Sequence, residues 1–125
     1  MEVTPLVPQG LQVIQSYGGG GFTVAGVRHR GSILVMPNRT LAWALRAGDD
    51  LSIEALGSVI AEISETDLLL VGTGGTGLLI SAPVRAALKG ARVAVESMAT
   101  PAACRTFNVL LAEERRVAAA LMAFE

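Results

Sequence analysis

The sequence predicts an α/β domain with a mixed central sheet. Short β-branched and apolar runs broken by glycine and proline fill the first half of the chain, and helical and strand patterns alternate in the second half. Strands connected through helices are normally parallel, so an order of strands first and then α-β-α-β-α indicates a sheet with both strand orientations. A length of 125 residues, of which 51% are hydrophobic, fits one domain spanning residues 1–125.

Four short strands are predicted in the first half, at residues 11–16, 22–25, 32–36 and 40–45. The glycine run Gly18–Gly21 ends the first of them. The third is an unbroken apolar run that Pro37 ends, which is typical of a strand buried on both faces. The segment around Trp43 fits either a strand or one helical turn, and the strand is favoured.

The second half begins with a helix that Ser52 is placed to cap. Apolar residues at helical spacing follow it, namely Leu56, Val59, Ile60 and Ile63. An unbroken apolar strand comes next, at residues 68–71. A second helix spans residues 81–89, with Pro83 in its first turn, where the missing N–H costs little.

A strand at residues 92–96 and a third helix complete the alternation. Thr100 is the predicted N-cap of this helix, because Pro101 suits the first helical position, and the helix runs to about Glu113. Residues 116–123 leave two alternatives open. Their apolar pattern fits a continuation of the helix, whereas the charged run before them fits a turn into a terminal strand.

Composition excludes several classes of function. Ten basic against eleven acidic residues give a net charge of −1, so the chain lacks the basic surface of a nucleic-acid-binding protein. With one cysteine and one histidine, neither an intramolecular disulfide nor a structural zinc site is expected, and a cytoplasmic location is favoured. Residues 1–5 lack the features of a signal peptide, and no apolar window of about 18 residues predicts a membrane span.

The sharpest local motif is the run Gly72–Gly77, which reads G-x-G-x-x-G directly after a predicted strand. Glu96 follows nineteen positions after the last glycine, as the acidic residue of a dinucleotide-binding fingerprint does. However, residues 78–82 separate that glycine from Pro83, whereas the fingerprint places its last glycine inside the helix. The spacing therefore argues against a bound dinucleotide.

Two interpretations of the glycine run are open. In the first, its small residues permit close packing of a strand-to-helix connection, and no cofactor is bound. In the second, the Gly72–Gly77 loop binds a phosphate or small anion, with Gly72, Thr73 and Gly74 as candidate residues. The first is favoured, and a Walker-type P-loop is excluded because no Gly-Lys-Ser/Thr follows the glycines.

Other reactive side chains give weaker signals. Cys104 lies in the first turns of the third predicted helix without an evident base, so a buried structural thiol is favoured. His29 stands between two arginines and is expected on the surface. The acidic pairs Asp49-Asp50 and Glu113-Glu114 fit solvated charges better than a paired acid and base. No catalytic residue is predicted.

A polar face on the third helix is the remaining candidate site. Arg105 and Asn108 are three positions apart and share that face. They either bind an anion or fasten the helix to neighbouring backbone, and the Arg105 guanidinium either meets Glu96 or stays free. Because the carboxyl ends of parallel strands open on one edge of a sheet, Thr73, Arg105 and Asn108 are expected around one shallow cleft.

Five blocks of sequence carry a family resemblance. They are Gly31-Ser32-x-Leu34-Val35-x-Pro37, Trp43, Leu70–Gly74, Val95–Met98 with Thr100, and Ala103-x-Arg105-Thr106-Phe107-Asn108-x-Leu110. In this order and spacing the chain resembles the domain-of-unknown-function 498 family. The resemblance implies a three-layer α/β fold, with a mixed central sheet, flanking helices and an antiparallel β-ribbon from the N-terminal half. It also implies a terminal strand at residues 117–121, and it supplies no catalytic residue.

This family includes small bacterial and archaeal proteins and a mitochondrial assembly factor for respiratory complex I. The resemblance therefore implies a non-enzymatic binding or assembly module with a protein partner, an analogy at the level of the fold. The alternative is a small-molecule or phosphate-binding enzyme that uses the Gly72–Gly77 loop. The sequence predicts no oligomeric state.

Overall fold

Two β-sheets and three helices form the computed structural model, which describes residues 10–124. The expectation that residues 1–5 carry no signal peptide lies outside these described residues. The first sheet has three antiparallel strands: β1 (Ile14–Gly18), β2 (Gly21–Val24) and β3 (Val27–Arg30). This sheet, called the ribbon below, corresponds to the β-ribbon that the family resemblance implies.

The central sheet has five strands. They are β4 (Ile33–Met36), β5 (Arg39–Ala42), β6 (Leu68–Gly72), β7 (Ala94–Met98) and β8 (Val117–Leu121). Their spatial order is β5-β4-β8-β6-β7. β4 is antiparallel to β5 and β8, whereas β6 is parallel to β7 and β8. The predicted mixed sheet is confirmed, and the end of the chain forms a strand rather than a longer helix.

Three helices complete the structure: α1 (Ile53–Ile60), α2 (Ala82–Lys89) and α3 (Thr100–Ala112). α1 and α2 cover one face of the central sheet, where Leu56 and Leu88 share a buried cluster with Trp43. α3 and the ribbon cover the other face, where Phe107 packs in a second cluster with Phe22. The three-layer architecture is therefore confirmed. No helix among the described residues is long and apolar enough to cross a bilayer.

The central strand β8 joins the two clusters. Its sequence Val-Ala-Ala-Ala-Leu is buried throughout. Because successive side chains of a strand point to opposite faces, Ala118 and Ala120 belong to the first cluster, whereas Val117, Ala119 and Leu121 belong to the second. The short run of alanines thus reflects burial on both faces of the sheet.

Tight turns explain the glycines of the ribbon. Gly19 and Gly20 join β1 to β2 with φ angles of 63° and 79°. Ala25 and Gly26 join β2 to β3 with φ angles of 47° and 82°. Two consecutive positive φ angles are the mark of a type I′ hairpin, whose twist suits antiparallel strands. The sequence did not predict β3, because its residues Val-Arg-His-Arg are mostly exposed and lack an apolar alternation.

Several predicted boundaries need correction. The fourth predicted strand, at residues 40–45, is β5 and ends at Ala42, before Trp43, and α1 ends at Ile60, before Ile63. The first strand begins at Ile14 rather than at residue 11, with an irregularity between Ile14 and Ser16. β7 begins at Ala94 rather than at Arg92, since Arg92 has a φ of 60° that a strand does not accept. Helix α3 has Ala99 at its N-cap position, not Thr100. By contrast, Ser52 caps α1 as predicted, with its Oγ accepting the Ala55 N–H at 3.0 Å.

Candidate functional site

The glycine loop begins where β6 ends and is tied down by the side chain of Thr73. The Thr73 N–H donates to the Met98 carbonyl at 2.9 Å. Its hydroxyl oxygen lies 2.8 Å from the Thr76 carbonyl oxygen and accepts the Leu78 N–H at 3.0 Å. Thr73 is buried, with 3% of its surface exposed. The side chain therefore closes the loop on itself and is turned away from solvent.

A second threonine holds this loop against the start of α3. The Thr100 hydroxyl accepts the Gly74 N–H at 2.8 Å and donates to the Met122 carbonyl at 2.9 Å. The Thr100 N–H in turn donates to the Gly74 carbonyl at 2.8 Å. Thr100 is fully buried. One side chain thus links the glycine loop, α3 and the residue that follows β8.

Close packing accounts for Gly72, Gly74 and Gly77. A Cβ on Gly72 would lie 2.9 Å from the Thr100 hydroxyl oxygen, and one on Gly77 would lie 3.3 Å from the Ala99 nitrogen. Gly74 has a φ of 91°, and a Cβ there would lie 2.9 Å from the Ala47 Cβ. A side chain at any of these positions would strain the contacts. Close packing, together with the backbone conformation of Gly74, is therefore sufficient to account for these three glycines.

Several backbone amides of the loop are already engaged within the protein. The amides of Thr73, Gly74 and Leu78 already donate within the protein. Helix α2 starts only at Ala82, with Pro83 in its first turn, so the glycines do not lead directly into a helix N-terminus. Among residues 10–124, no buried side-chain polar atom lacks a hydrogen-bond partner. These contacts favour the packing interpretation of the motif.

Asn108 fastens α3 to the ribbon. Its Oδ1 accepts the Ile14 N–H at 2.9 Å, and its Nδ2 donates to the Ile14 carbonyl at 2.8 Å. Both backbone groups of one ribbon residue are therefore satisfied by one side-chain amide. Of the two roles considered for Asn108, the contacts match attachment of the helix to neighbouring backbone.

Arg105 is exposed and faces the ribbon as well. Its Nη1 donates to the Tyr17 hydroxyl at 3.4 Å, a long contact. The Tyr17 ring stacks on Phe124, with ring centroids 6.2 Å apart. Glu96 is exposed on β7 and forms no ion pair in the described part of the chain. The alternative in which Arg105 meets Glu96 is therefore not observed.

The two halves of the expected cleft make separate contacts. Thr73 bonds within its own loop and to Met98, whereas Asn108 and Arg105 bond to β1. No hydrogen bond across residues 10–124 joins either α3 residue to Gly72, Thr73 or Gly74. The candidate residues thus take part in two separate sets of contacts, one between the glycine loop and the start of α3 and one between α3 and β1.

Cys104 is a buried free thiol on α3. Burial raises its pKa to about 12, although the nearby Arg105 opposes this shift. A thiol with such a pKa is protonated near neutral pH and is a poor nucleophile. No cluster of three or more metal-ligating side chains occurs within the described residues.

Thr100 has a bridging role that its sequence context does not indicate. A threonine before a proline is typical of a helix N-cap, and that is the role the sequence predicts for Thr100. The hydroxyl instead reaches Gly74 and Met122, which are distant in sequence. Hydrogen bonds between residues that are distant in sequence leave no local sequence pattern. The only hint is the glycine run, which suggests a close contact with another segment without identifying that segment.

Comparison with known proteins places this chain in a family. The model of a family of proteins of unknown function, DUF498/DUF598, matches residues 14–122. An uncharacterized protein of Rhodobacter capsulatus is 37% identical over 109 residues, which are 87% of this chain and 82% of that protein. The crystal structure of an outer membrane protein from Bartonella henselae is 40% identical, has a TM-score of 0.83, and covers 93% of this chain and 98% of that one.

One further relative carries a functional name. NADH dehydrogenase (ubiquinone) 1 alpha subcomplex assembly factor 3 of Danio rerio is 37% identical over 110 residues. The match covers 88% of this chain and 63% of that protein, so the chain spans less than two thirds of the assembly factor's length. The family match extends from the first strand of the ribbon to the residue after β8. The chain therefore belongs to the DUF498/DUF598 family of proteins of unknown function.

Proposed function

We propose that this protein is a non-enzymatic binding module that assists the assembly of a membrane-bound protein complex of the respiratory NADH dehydrogenase type. The observation that carries the proposal is the 37% identity to an assembly factor over 88% of this chain. The family match over residues 14–122 includes both sheets and all three helices. The partner is therefore a protein subunit of such a complex, or a second assembly factor.

The chemistry of the candidate residues supports a role without catalysis. The polar groups of Thr73, Thr100 and Asn108 are engaged in holding segments of the fold together. The Cys104 thiol is buried and protonated. An enzyme needs a nucleophile, or an acid and a base, placed in an accessible site. We infer that Gly72, Thr73, Gly74 and Asn108 serve the fold, and Arg105 is the one candidate among the five that is exposed.

The proposal is tested in the cell that produces the protein. A tagged copy is recovered from gently solubilised membranes after chemical cross-linking, and the captured proteins are identified by mass spectrometry. Subunits of an NADH dehydrogenase are expected among them. In a strain lacking the gene, we expect a smaller amount of the mature complex on native gels, restored by the wild-type gene. Normal complex levels without the gene would contradict the proposal.

The alternative of a phosphate-binding or small-molecule enzyme makes a different prediction. Inorganic phosphate and NAD(H) are titrated while the amide signals of Gly72, Gly74 and Gly77 are followed by NMR. Under the proposed function, these signals do not move in a saturable way at micromolar ligand. Saturable shifts confined to the loop would favour the enzyme.

We also place the protein in the cytoplasm as part of this proposal. The chain has one cysteine, which is buried and free, so it carries no sign of selection for disulfides in an oxidising compartment. Cell fractionation followed by immunodetection tests this, with cytoplasmic and peripheral-membrane pools expected. Recovery in a periplasmic or outer-membrane fraction would contradict it.

A further inference from the structure

An open hollow lies between the start of α1 and the loop that leads into α2. Its volume is about 650 Å³. Three large aliphatic side chains at this hollow are left open to solvent: Ile53 and Leu78 are each 50% exposed, and Leu79 is 92% exposed. Single exposed apolar residues are normal on protein surfaces, but three that line one hollow form a patch of the kind that marks an interaction site.

The charged side chains that line the same hollow are all acidic, namely Asp49, Asp50 and Glu54. The Asp49 carboxylate accepts the Arg46 N–H at 2.9 Å and so also shapes the turn before α1. No ion pair or side-chain hydrogen bond engages the carboxylates of Asp50 and Glu54 within residues 10–124. Apolar surface beside unpaired negative charge is complementary to a cationic, amphipathic partner.

We propose that this hollow, here called the acidic hollow, is the docking site for a cationic amphipathic segment of a partner protein. The inference rests on the proposed function as a binding module and names the chemistry of its partner. Aliphatic side chains spaced three and four residues apart on a helical segment cover Leu78, Leu79 and Ile53. Lysine or arginine side chains that flank this stripe meet the carboxylates of Asp50 and Glu54.

The negative charge of the hollow also argues against two other occupants, an anionic membrane surface and a second copy of this chain. A membrane surface that contains anionic lipids repels the three carboxylates, whereas proteins that lie on such surfaces carry lysine and arginine around their apolar face. A second copy of this chain, docked through the same patch, would place acidic residues against acidic residues. A basic protein segment satisfies both the apolar and the charged parts of the surface.

The direct test uses a synthetic peptide as the probe. It has 14 residues, with leucine at helical i, i+3, i+4 and i+7 positions and lysine elsewhere, and a second peptide carries glutamate in place of lysine. We expect the lysine peptide to bind, with shifts in the amide signals of Ile53, Leu78 and Leu79 and with weaker binding at higher salt. Equal binding of the glutamate peptide, or shifts centred on another surface, would overturn the inference.

Matched variants distinguish binding at the acidic hollow from nonspecific binding to exposed apolar residues. Leu79→Ser is expected to weaken peptide binding on the order of tenfold, because it removes a large apolar contact. Val109→Ser is the control, since Val109 is 57% exposed but belongs to α3, on the opposite face of the central sheet. The pair Asp50→Asn with Glu54→Gln is expected to weaken binding and to reduce its dependence on salt. Equal losses in Leu79→Ser and Val109→Ser would overturn the inference.

Two further measurements distinguish a protein segment from a membrane as the occupant of the hollow, and they test the docking site separately from the proposed assembly function. Sedimentation with phosphatidylglycerol vesicles is expected to leave the protein in solution, and Leu79-dependent sedimentation would overturn the inference. In cells, Leu79→Ser is expected to lose the captured assembly partner. If wild type and Leu79→Ser capture the same NADH dehydrogenase subunits, the acidic hollow is not the docking site, although the proposed function stands. If complex levels are normal without the gene, the proposed function fails whatever the hollow binds.

Discussion

At the scale of single residues, the Thr100 hydroxyl connects two segments that are distant from it in sequence. It accepts the Gly74 N–H and donates to the Met122 carbonyl, so it satisfies one buried backbone group on each of two separate segments. Replacement by an apolar isostere removes the hydrogen-bond partner of both groups at a fully buried position. The cost of burying an unpaired backbone group then applies twice.

We therefore predict that Thr100→Val lowers the free energy of unfolding by about 3 kcal/mol, as expected for two unsatisfied buried groups. Thr100→Ser is the matched control, because it keeps the hydroxyl and loses only a methyl group, at a cost of about 1 kcal/mol. Urea denaturation of both variants and the wild type measures the difference. A Thr100→Val variant as stable as Thr100→Ser would show that the hydroxyl bridge contributes little.

The buried thiol of Cys104 gives a prediction about pH. Because burial raises its pKa to about 12 in the folded protein, the thiol ionises more easily in the unfolded chain, where its pKa is about 8.5. Above that lower value, unfolding releases a proton, so stability falls as pH rises toward the folded-state pKa. We expect the stability advantage of wild type over Cys104→Ala to shrink as pH rises above about 8.5. A constant difference between the two proteins across alkaline pH, measured by urea denaturation, would contradict this.

The burial of a residue was easier to predict from the sequence than its hydrogen-bond partners. The sequence indicated that Cys104 is buried, because a free cysteine without an evident base is most often part of a protein core. It did not indicate where the polar atoms of Thr100 and Asn108 bond. Their partners, Met122 and Ile14, are 22 and 94 positions away. Only the tertiary arrangement brings these groups together.

At the scale of secondary-structure elements, Asn108 attaches the ribbon to α3 through both backbone groups of Ile14. We predict that Asn108→Asp destabilises the protein by about 2 kcal/mol near neutral pH, since a carboxylate cannot donate to the Ile14 carbonyl and is repelled by it. The loss should shrink below about pH 4, where an aspartic acid protonates and can donate again. Asn38→Asp, at an exposed position of the turn between β4 and β5, is the control for the change in charge. Equal destabilisation in both variants would contradict the role given to Asn108.

The glycine loop offers a second matched pair. Gly74 has a φ of 91° and lies against Ala47, whereas Gly75 has open space where a Cβ would be. Gly74→Ala is expected to cost about 1–3 kcal/mol, the range for a residue forced into a rarely populated backbone conformation. Gly75→Ala is expected to be nearly neutral. Thermal unfolding followed by circular dichroism compares the two, and similar effects at both positions would contradict the packing interpretation.

Element prediction succeeded where a local signal existed. Ser52 caps α1, Pro83 lies in the first turn of α2, and the unbroken apolar run of β6 forms a buried strand, as expected. β3 was missed because an exposed edge strand has no apolar pattern, and its existence depends on the turn at Ala25 and Gly26. The expected cleft around Thr73, Arg105 and Asn108 stays a prediction, because helical spacing gives a shared face on α3 but not the direction of its side chains.

At the scale of the whole molecule, β8 makes the two buried clusters depend on each other. Its alternate side chains belong to different clusters, so neither face of the sheet is complete without it. We propose that residues 10–124 unfold as one cooperative unit, as small single domains usually do.

The probes for this prediction lie on opposite faces of the sheet. Trp43 belongs to the first cluster, and its fluorescence reports on that face. Cys104 belongs to the second cluster, and pulse labelling of its thiol reports on the other. The two urea transitions are expected to have the same midpoint. Separate midpoints would show that the layers unfold independently.

The position of β8 in the middle of the sheet also sets the order of events on the ribosome. β8 lies between β4 and β6, and its pairing with β4 joins Val35 to Ala119 across 84 positions of sequence. At a synthesis rate of about 5–20 residues per second, the apolar strands β4 and β6 emerge seconds before the strand that separates them. Until Val117–Leu121 leaves the exit tunnel, both carry unpaired edges of the kind that attract other chains. A chaperone that covers these two edges would protect the nascent chain until β8 pairs with them, as it does in the folded sheet.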